Sequence, residues 1–340
     1  MGDSKNVIAR MSAEREAKTI GQYGGSALLV VVLVIMLLAA GCTGGQRSDV
    51  ASTAGTAGYQ VTDTQGYVLN LPQKPQRIVT LSLSSDEMVL GMTQPERLVA
   101  LHYLADDPGI STIADKASRV PGRMWDYNAE MIMALKPDLV IAPDWNQAEL
   151  IQTLRDSGLP VFVSKGPSCV VEVKQAIREI SQAIGEETAG QRMLNRMETE
   201  LADIARKVKA IPPERRQTLV LISHMAAYGG KGSLFDDMCG YAGVINGAAA
   251  AGLGKNDILT KECIISVNPD LILVPTWNGG KLDVNKIKID LENDPALQTV
   301  KAICAKRLVQ LPDLYLYCAS QDIVHAIRDI VNAAYPEPGS

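Results

Sequence analysis

The sequence predicts an α/β protein of two similar lobes with mostly parallel central sheets, joined by a single long α-helix. Three observations predict it. Helical and strand-like segments alternate along most of the chain, which argues for parallel sheets with covered faces. The segment Glu130-Met-Ile-Met-Ala-Leu-Lys-Pro-Asp-Leu-Val-Ile-Ala-Pro-Asp-Trp-Asn146 aligns without a gap with Glu262-Cys-Ile-Ile-Ser-Val-Asn-Pro-Asp-Leu-Ile-Leu-Val-Pro-Thr-Trp-Asn278, at an offset of 132 residues. Two copies at domain-sized spacing imply two like lobes. Between them, Glu187–Ala210 carries apolar residues at Ala189, Met193, Met197, Leu201, Ile204 and Val208, the three-and-four spacing of an amphipathic helix. Gly185 breaks the chain before it and Pro212-Pro213 stops it. At ~1.5 Å rise per residue the helix would span roughly 36 Å, the height of a small domain.

The elements follow in order. Ser26–Ala40 is an apolar run of 15 residues, short for a bilayer span but suited to a signal-peptide core, and Gly41-Cys42 follows directly. Residues 1–42 are therefore read as a leader ending at Cys42. Thr43–Gly58, rich in Gly, Ser, Thr and Ala, reads as a flexible tether. The first lobe is expected over 59–185, the connecting helix over 186–211 and the second lobe over 212–336. Tyr59–Leu71 reads as two short strands about a turn at Asp63–Gly66. Arg77–Leu81 is a buried-type strand, and Ser84 or Ser85 is expected to cap a helix running to Gly91. Arg97–Leu101 is the next strand, releasing His102 and Tyr103. Pro121–Asn128 is read as connecting chain. A helix from Ala129, strand Leu139–Ala142, helix Gln147–Ser157 and strand Val161–Val163 complete the lobe. Val170–Ile184 is helical. In the second lobe the strands are Thr218–Ser223, Leu271–Val274 and Leu308–Leu311, and the helices are Leu234–Ala242, Lys261–Val267 and Asp322–Ala334.

In parallel sheets a ligand sits beyond the carboxyl ends of the strands. Those loops hold His102, Tyr103, Met124, Trp125, Tyr127, Trp145, His224, Met225, Tyr228 and Trp277, which include every Trp and two of the three His of the chain. They are the candidate ligand-binding residues of an aromatic-lined cleft between the lobes. The indoles would stack on a flat or greasy ligand; packing between the lobes is the alternative. His102 and His224 are candidate axial ligands for a chelated metal, with Met225, Tyr103 and Tyr228 behind them. Arg123 and Lys231 could meet an acidic ligand. Direct zinc or manganese binding needs clustered His and carboxylates, and the only other histidine, His325, stands on the closing helix. Net charge of -5 gives no support for nucleic-acid binding. Beyond Cys42, the five remaining cysteines form no C-x-x-C pair, and buried thiols are expected rather than disulfides. No Gly-x-Ser-x-Gly turn and no His-Glu-x-x-His occurs, so no enzyme chemistry is expected.

The sequence resembles the solute-binding lipoproteins of metal-chelate ABC importers, the cobalamin, iron-siderophore and haem binders whose Rossmann-like lobes are joined by one long helix. The resemblance is carried by Pro75-Gln-Arg-Ile-Val79 with Ser82-Leu-Ser84, by Glu130 followed by Leu135-Lys-Pro-Asp-Leu-Val-Ile141, by Gly230-Lys-Gly-Ser233, by Ala242-Gly243 with Asn246, and by Ser266 followed by Pro269-Asp-Leu-Ile272. It covers roughly Tyr59 to Tyr335. It implies capture of a chelate between the lobes and delivery to permease subunits, by a monomer that needs no cofactor of its own. An exposed acid on each lobe would dock the permease. Glu130 matches the first-lobe position, and Asp237 or Glu262 is the second-lobe candidate. The small residue before Cys42 resembles a lipoprotein signal, which implies acylation of Cys42 and a tether to the outer face of the cell membrane. Siderophore and corrinoid stay open as ligands, with haem as an alternative. Two other classes remain: an enzyme acting on a chelate in the same cleft, and a ligand-free signalling or adhesion lipoprotein.

Overall fold

The computed structural model describes residues 58–223, 228–279 and 283–336. The leader, the tether and Cys42 lie outside the described residues, as do His224 and Met225. Strands β1 (Tyr59–Thr62) and β2 (Val68–Leu71) pair antiparallel, with Gly66 at a φ of 82° in the turn. The first lobe is built on β3 (Ile78–Thr80), β4 (Leu98–His102), β5 (Gly122–Met124), β6 (Leu139–Pro143) and β7 (Val161–Ser164). All its pairings are parallel, in the order β5-β4-β3-β6-β7. The second lobe is built on β8 (Thr218–Leu221), β9 (Ile245–Asn246), β10 (Leu271–Val274) and β11 (Leu308–Gln310), also parallel, in the order β11-β10-β8-β9. The helix Glu187–Lys209 joins the lobes.

The connecting helix buries Met193, Leu194, Met197, Leu201 and Ile204. These side chains belong to a core that continues from Val61 in the first lobe to Ala334 in the second. Its entry is locked by Arg97. That guanidinium meets Glu186 at 2.7 Å and donates to the carbonyls of Ile184 at 2.7 Å and Pro75 at 2.8 Å. The outer face of each sheet has a smaller core of its own, one around Val140 and Val163, the other around Ile272 and Val274.

The repeated segments are also structural repeats. Each helix ends on a left-handed residue, Lys136 at a φ of 48° and Asn268 at 49°. Each following aspartate holds the start of the neighbouring strand. Asp138 accepts the amides of Gln76 and Arg77 at 2.7 and 2.8 Å, and Asp270 accepts that of Thr218 at 2.8 Å.

Several expectations need correction. The first helix spans Leu83–Met92 and its cap is Ser82, whose hydroxyl accepts the Ser85 amide at 3.2 Å, rather than Ser84 or Ser85. The stretch from Pro121 is not all connecting chain: Gly122–Met124 is the edge strand β5. Three residues are too few to show a period, so only pairing with β4 reveals it. No element is expected at 284–293, yet Val284–Asn293 is a helix capped by Asp283. Among the described residues no helix is long and apolar enough to cross a membrane.

Candidate functional site

The carboxyl ends of β3, β6 and β7 open onto a cavity of about 230 Å³. Ser82, Ser84 and Ser85 line it from the first helix, Ser164 and Lys165 from the end of β7, and Trp145 from the loop after β6. Ala319 reaches it from the second lobe, so the cavity lies between the lobes. Trp145 is 61% exposed and packs beside Gly166, where an added Cβ would come within 3.0 Å of the indole. The serines follow from fold position. Ser82, Ser84 and Ser85 follow the end of β3 and Ser164 closes β7, so the rule that ligands sit at strand ends points to them. Lys165 is ion-paired with Glu172, whose carboxyl that pairing and the Ser168 amide and hydroxyl hold down to about 2 despite partial burial.

The ends of β4 and β5 carry an aromatic group. Tyr103 stacks on Trp125 with ring centroids 5.0 Å apart, and Trp125 is 68% exposed. The His102 ring lies 4.5 Å from Tyr103 and 6.3 Å from Tyr127. Tyr127 has a buried hydroxyl without a hydrogen-bond partner among the described residues, and burial raises its pKa. His102 Nδ1 accepts the Leu104 amide at 3.2 Å, and burial pushes the imidazole down to about 4. The ring is therefore neutral, with its proton on Nε2. That tautomer offers a donor, not a lone pair, for a metal. Beneath it, buried Asp86 accepts the His102 amide at 2.8 Å and the Thr80 hydroxyl, and burial raises its carboxyl well above the usual range. Arg123 is paired with Asp106 at 2.6 Å.

The other candidates are placed differently. Met124 is 2% exposed inside β5, in the first-lobe core and not in the cleft. Strand alternation turns its side chain inward while Trp125 leaves the strand. Trp277 is not an open wall. Its Nε1 donates to Asp107 of the first lobe at 2.7 Å, and its ring lies against Gly109. Tyr228 donates its hydroxyl to the Leu316 carbonyl at 2.9 Å and lines a cavity of about 120 Å³ in the second lobe. Glu130 and Glu262 are exposed near the starts of their helices. The Glu262 carboxyl is held below the usual range by its own amide and the Thr260 hydroxyl. Asp237 is turned inward, accepting the Val170 amide at 2.7 Å at the start of the helix Val170–Ala183. No cluster of three His, Cys, Asp or Glu able to hold a metal ion occurs among the described residues. Cys169, Cys239, Cys263, Cys304 and Cys318 are free thiols, but only Cys239 and Cys318 are buried as expected; Cys304 is exposed.

A family model described as periplasmic binding protein matches residues 78–315, from the first strand of one lobe's sheet past the last strand of the other. The chain belongs to the periplasmic binding protein family. This periplasmic binding protein is similar to YvrC of Bacillus subtilis, an uncharacterised ABC transporter substrate-binding lipoprotein. The two are 24% identical over 284 residues, 82% of this chain and 85% of that protein. It is 26% identical to the vitamin B12-binding protein of Vibrio vulnificus over 141 residues, covering 41% of this chain and half of that protein's length. Among solved structures it resembles the periplasmic heme-binding protein RhuT from Roseiflexus sp. RS-1. The TM-score there is 0.64 at 25% identity, covering 76% of this chain and 98% of that one. The family and the two-lobed fold expected from the sequence both hold.

Proposed function

We propose that this substrate-binding protein captures a corrinoid-type metal chelate in the cleft between its lobes and presents it to the permease of an ABC importer. The observation that carries the reading is the row of groups along the first sheet's carboxyl edge. Exposed indoles after β5 and β6 flank the serine hydroxyls after β3. Those two strands stand three places apart, roughly 14 Å at ~4.8 Å per strand, enough to receive a bulky ring compound. The wall combines stacking surface with neutral hydroxyls, which suits a chelate with an apolar edge and amide arms. Its cations Arg123 and Lys165 are already ion-paired, which favours a neutral ligand over an acidic iron-siderophore. The His102 tautomer disfavours axial ligation of either cobalt or iron, so the chelate would be held by stacking and hydrogen bonds. The vitamin B12-binding relative favours the corrinoid reading.

Delivery would use the exposed acids Glu130 and Glu262, which occupy equivalent positions of the repeat. Asp237 is left out because its carboxylate is held by the Val170 amide. Acylation of Cys42 would tether the protein outside the cell membrane. Titrating the purified protein with cyanocobalamin, haemin and a ferric hydroxamate, followed by absorbance, tests the ligand. Cyanocobalamin should bind most tightly and be recovered unchanged. Trp125→Ala and Trp145→Ala should each weaken it about tenfold or more. Tighter binding of haemin or the hydroxamate, turnover of the ligand, or indifference to both substitutions would overturn the reading.

A further inference from the structure

A second cavity, of about 340 Å³, shares no residue with the serine-lined one. It lies where three parts of the molecule meet. The first lobe supplies Glu87 and Lys116, the connecting helix supplies Arg192 and Arg196, and the second lobe supplies Gln321 and Asp322. At ~30 Å³ per water it has room for about eleven waters, the size of a small metabolite.

Its wall carries three acids, Glu87, Glu200 and Asp322, with His325 beside the last two, and three cations that are left unpaired. Lys116, Arg192 and Arg196 are exposed, and among the described residues none of the three has an ion-pair or hydrogen-bond partner. Arg192 and Arg196 stand four residues apart on one helix, where like charges repel. Three other cations beside this helix are neutralised: Arg97 by Glu186, Lys174 by Glu198 and Arg328 by Glu200. The acids on the cavity wall already have partners. Glu200 accepts from Arg328 at 2.7 Å, Asp322 from the Gln321 amide at 2.9 Å, and buried Glu87 from the Thr112 amide at 3.0 Å. The Gln321 carbonyl Oε1 is buried and lacks a donor among the described residues, although its amide nitrogen is bonded. A buried acceptor left open in this way calls for a donor from outside the protein.

We infer that this cavity binds a small, multiply charged oxyanion bearing a hydroxyl group, either a hydroxy-polycarboxylate or a phosphate monoester. Arg192, Arg196 and Lys116 meet the charge, and Gln321 Oε1 accepts from the hydroxyl. Guanidinium groups suit this task because each presents paired N–H donors to two oxygens at once. The site takes side chains from both lobes, so its occupant ties them together. The inference does not depend on which chelate fills the strand-end cleft.

Calorimetric titration of the folded protein at low chloride, with citrate in one arm and glycerol 3-phosphate in the other, tests it and separates the two sources. At least one probe should bind with one-to-one stoichiometry. The double substitution Arg192→Ala/Arg196→Ala should weaken that probe at least about tenfold. Lys116→Gln, at an exposed position where folding is not at stake, should weaken it by roughly threefold or more. Trp145→Ala, in the other cavity, should leave it unchanged. Three results would overturn the inference: no binding of either probe up to about 10 mM, wild-type affinity in both the arginine and lysine variants, or loss of binding in Trp145→Ala.

Discussion

At His102 a single backbone amide and burial set the state of the ring. The sequence marks this residue as a loop histidine at a strand end and leaves metal ligation open. The Leu104 amide on Nδ1 closes that choice. Burial depresses its pKa from 6.5 to about 4, so the unfolded chain binds a proton over a range where the folded one does not. Stability should therefore be full above about pH 6.5 and fall as pH drops toward 4, by about 3 kcal/mol in total. Urea denaturation across that range should show a slope that is reduced in His102→Gln. Asp86 is tied to the same loop, and Asp86→Ala would leave the buried His102 amide and Thr80 hydroxyl without acceptors. A loss of about 2–3 kcal/mol is expected in the same assay.

The repeat is the clearest case at the scale of elements. Pro-Asp-Leu reads from sequence as a helix-to-strand junction. The structure shows why aspartate stands there: its carboxylate holds amides at the start of an adjacent strand. Asp138→Ala removes the acceptor of two such amides and should cost about 2 kcal/mol, measured by thermal or denaturant unfolding. The connecting helix supplies a second test. At Gly190 an added Cβ would lie 2.4 Å from the Ser181 Cβ, on the helix packed against it. Gly to Ala in a helix interior normally gains about 1 kcal/mol. Here overpacking of about 1–3 kcal/mol opposes that gain, so Gly190→Ala should be net destabilising.

Across the whole molecule the lobes are joined by more than the connecting helix. Trp277 donates to Asp107, Asp237 accepts from Val170, and the Cys318 thiol bonds the buried Glu87 carboxylate. Each of these crosses the seam between segments far apart in sequence. A helix with side bonds resists hinge bending better than loose crossovers do. Ligand binding should therefore change the radius of gyration by less than about 1 Å in solution scattering. Trp277→Phe keeps an aromatic ring, though a smaller one, and removes the donor. It should cost about 1 kcal/mol and speed ligand release, read by denaturation and stopped-flow fluorescence.

Sequence alone determined the fold class, the duplication and nearly every long element. Those features are written in periodicity, breakers and a repeated segment, all of which are local. It also placed the three indoles at strand ends. Tertiary structure decided what each one does. Trp125 and Trp145 remain open to solvent, while Trp277 is a latch because Asp107, 170 residues away, comes to face it. It likewise turned Met124 into core, gave Asp237 to a helix start and assembled the serine-lined wall from three strand ends. The physical reason is that exposure and hydrogen-bond partnership depend on which distant segment lies opposite a residue, and a linear pattern carries no record of that.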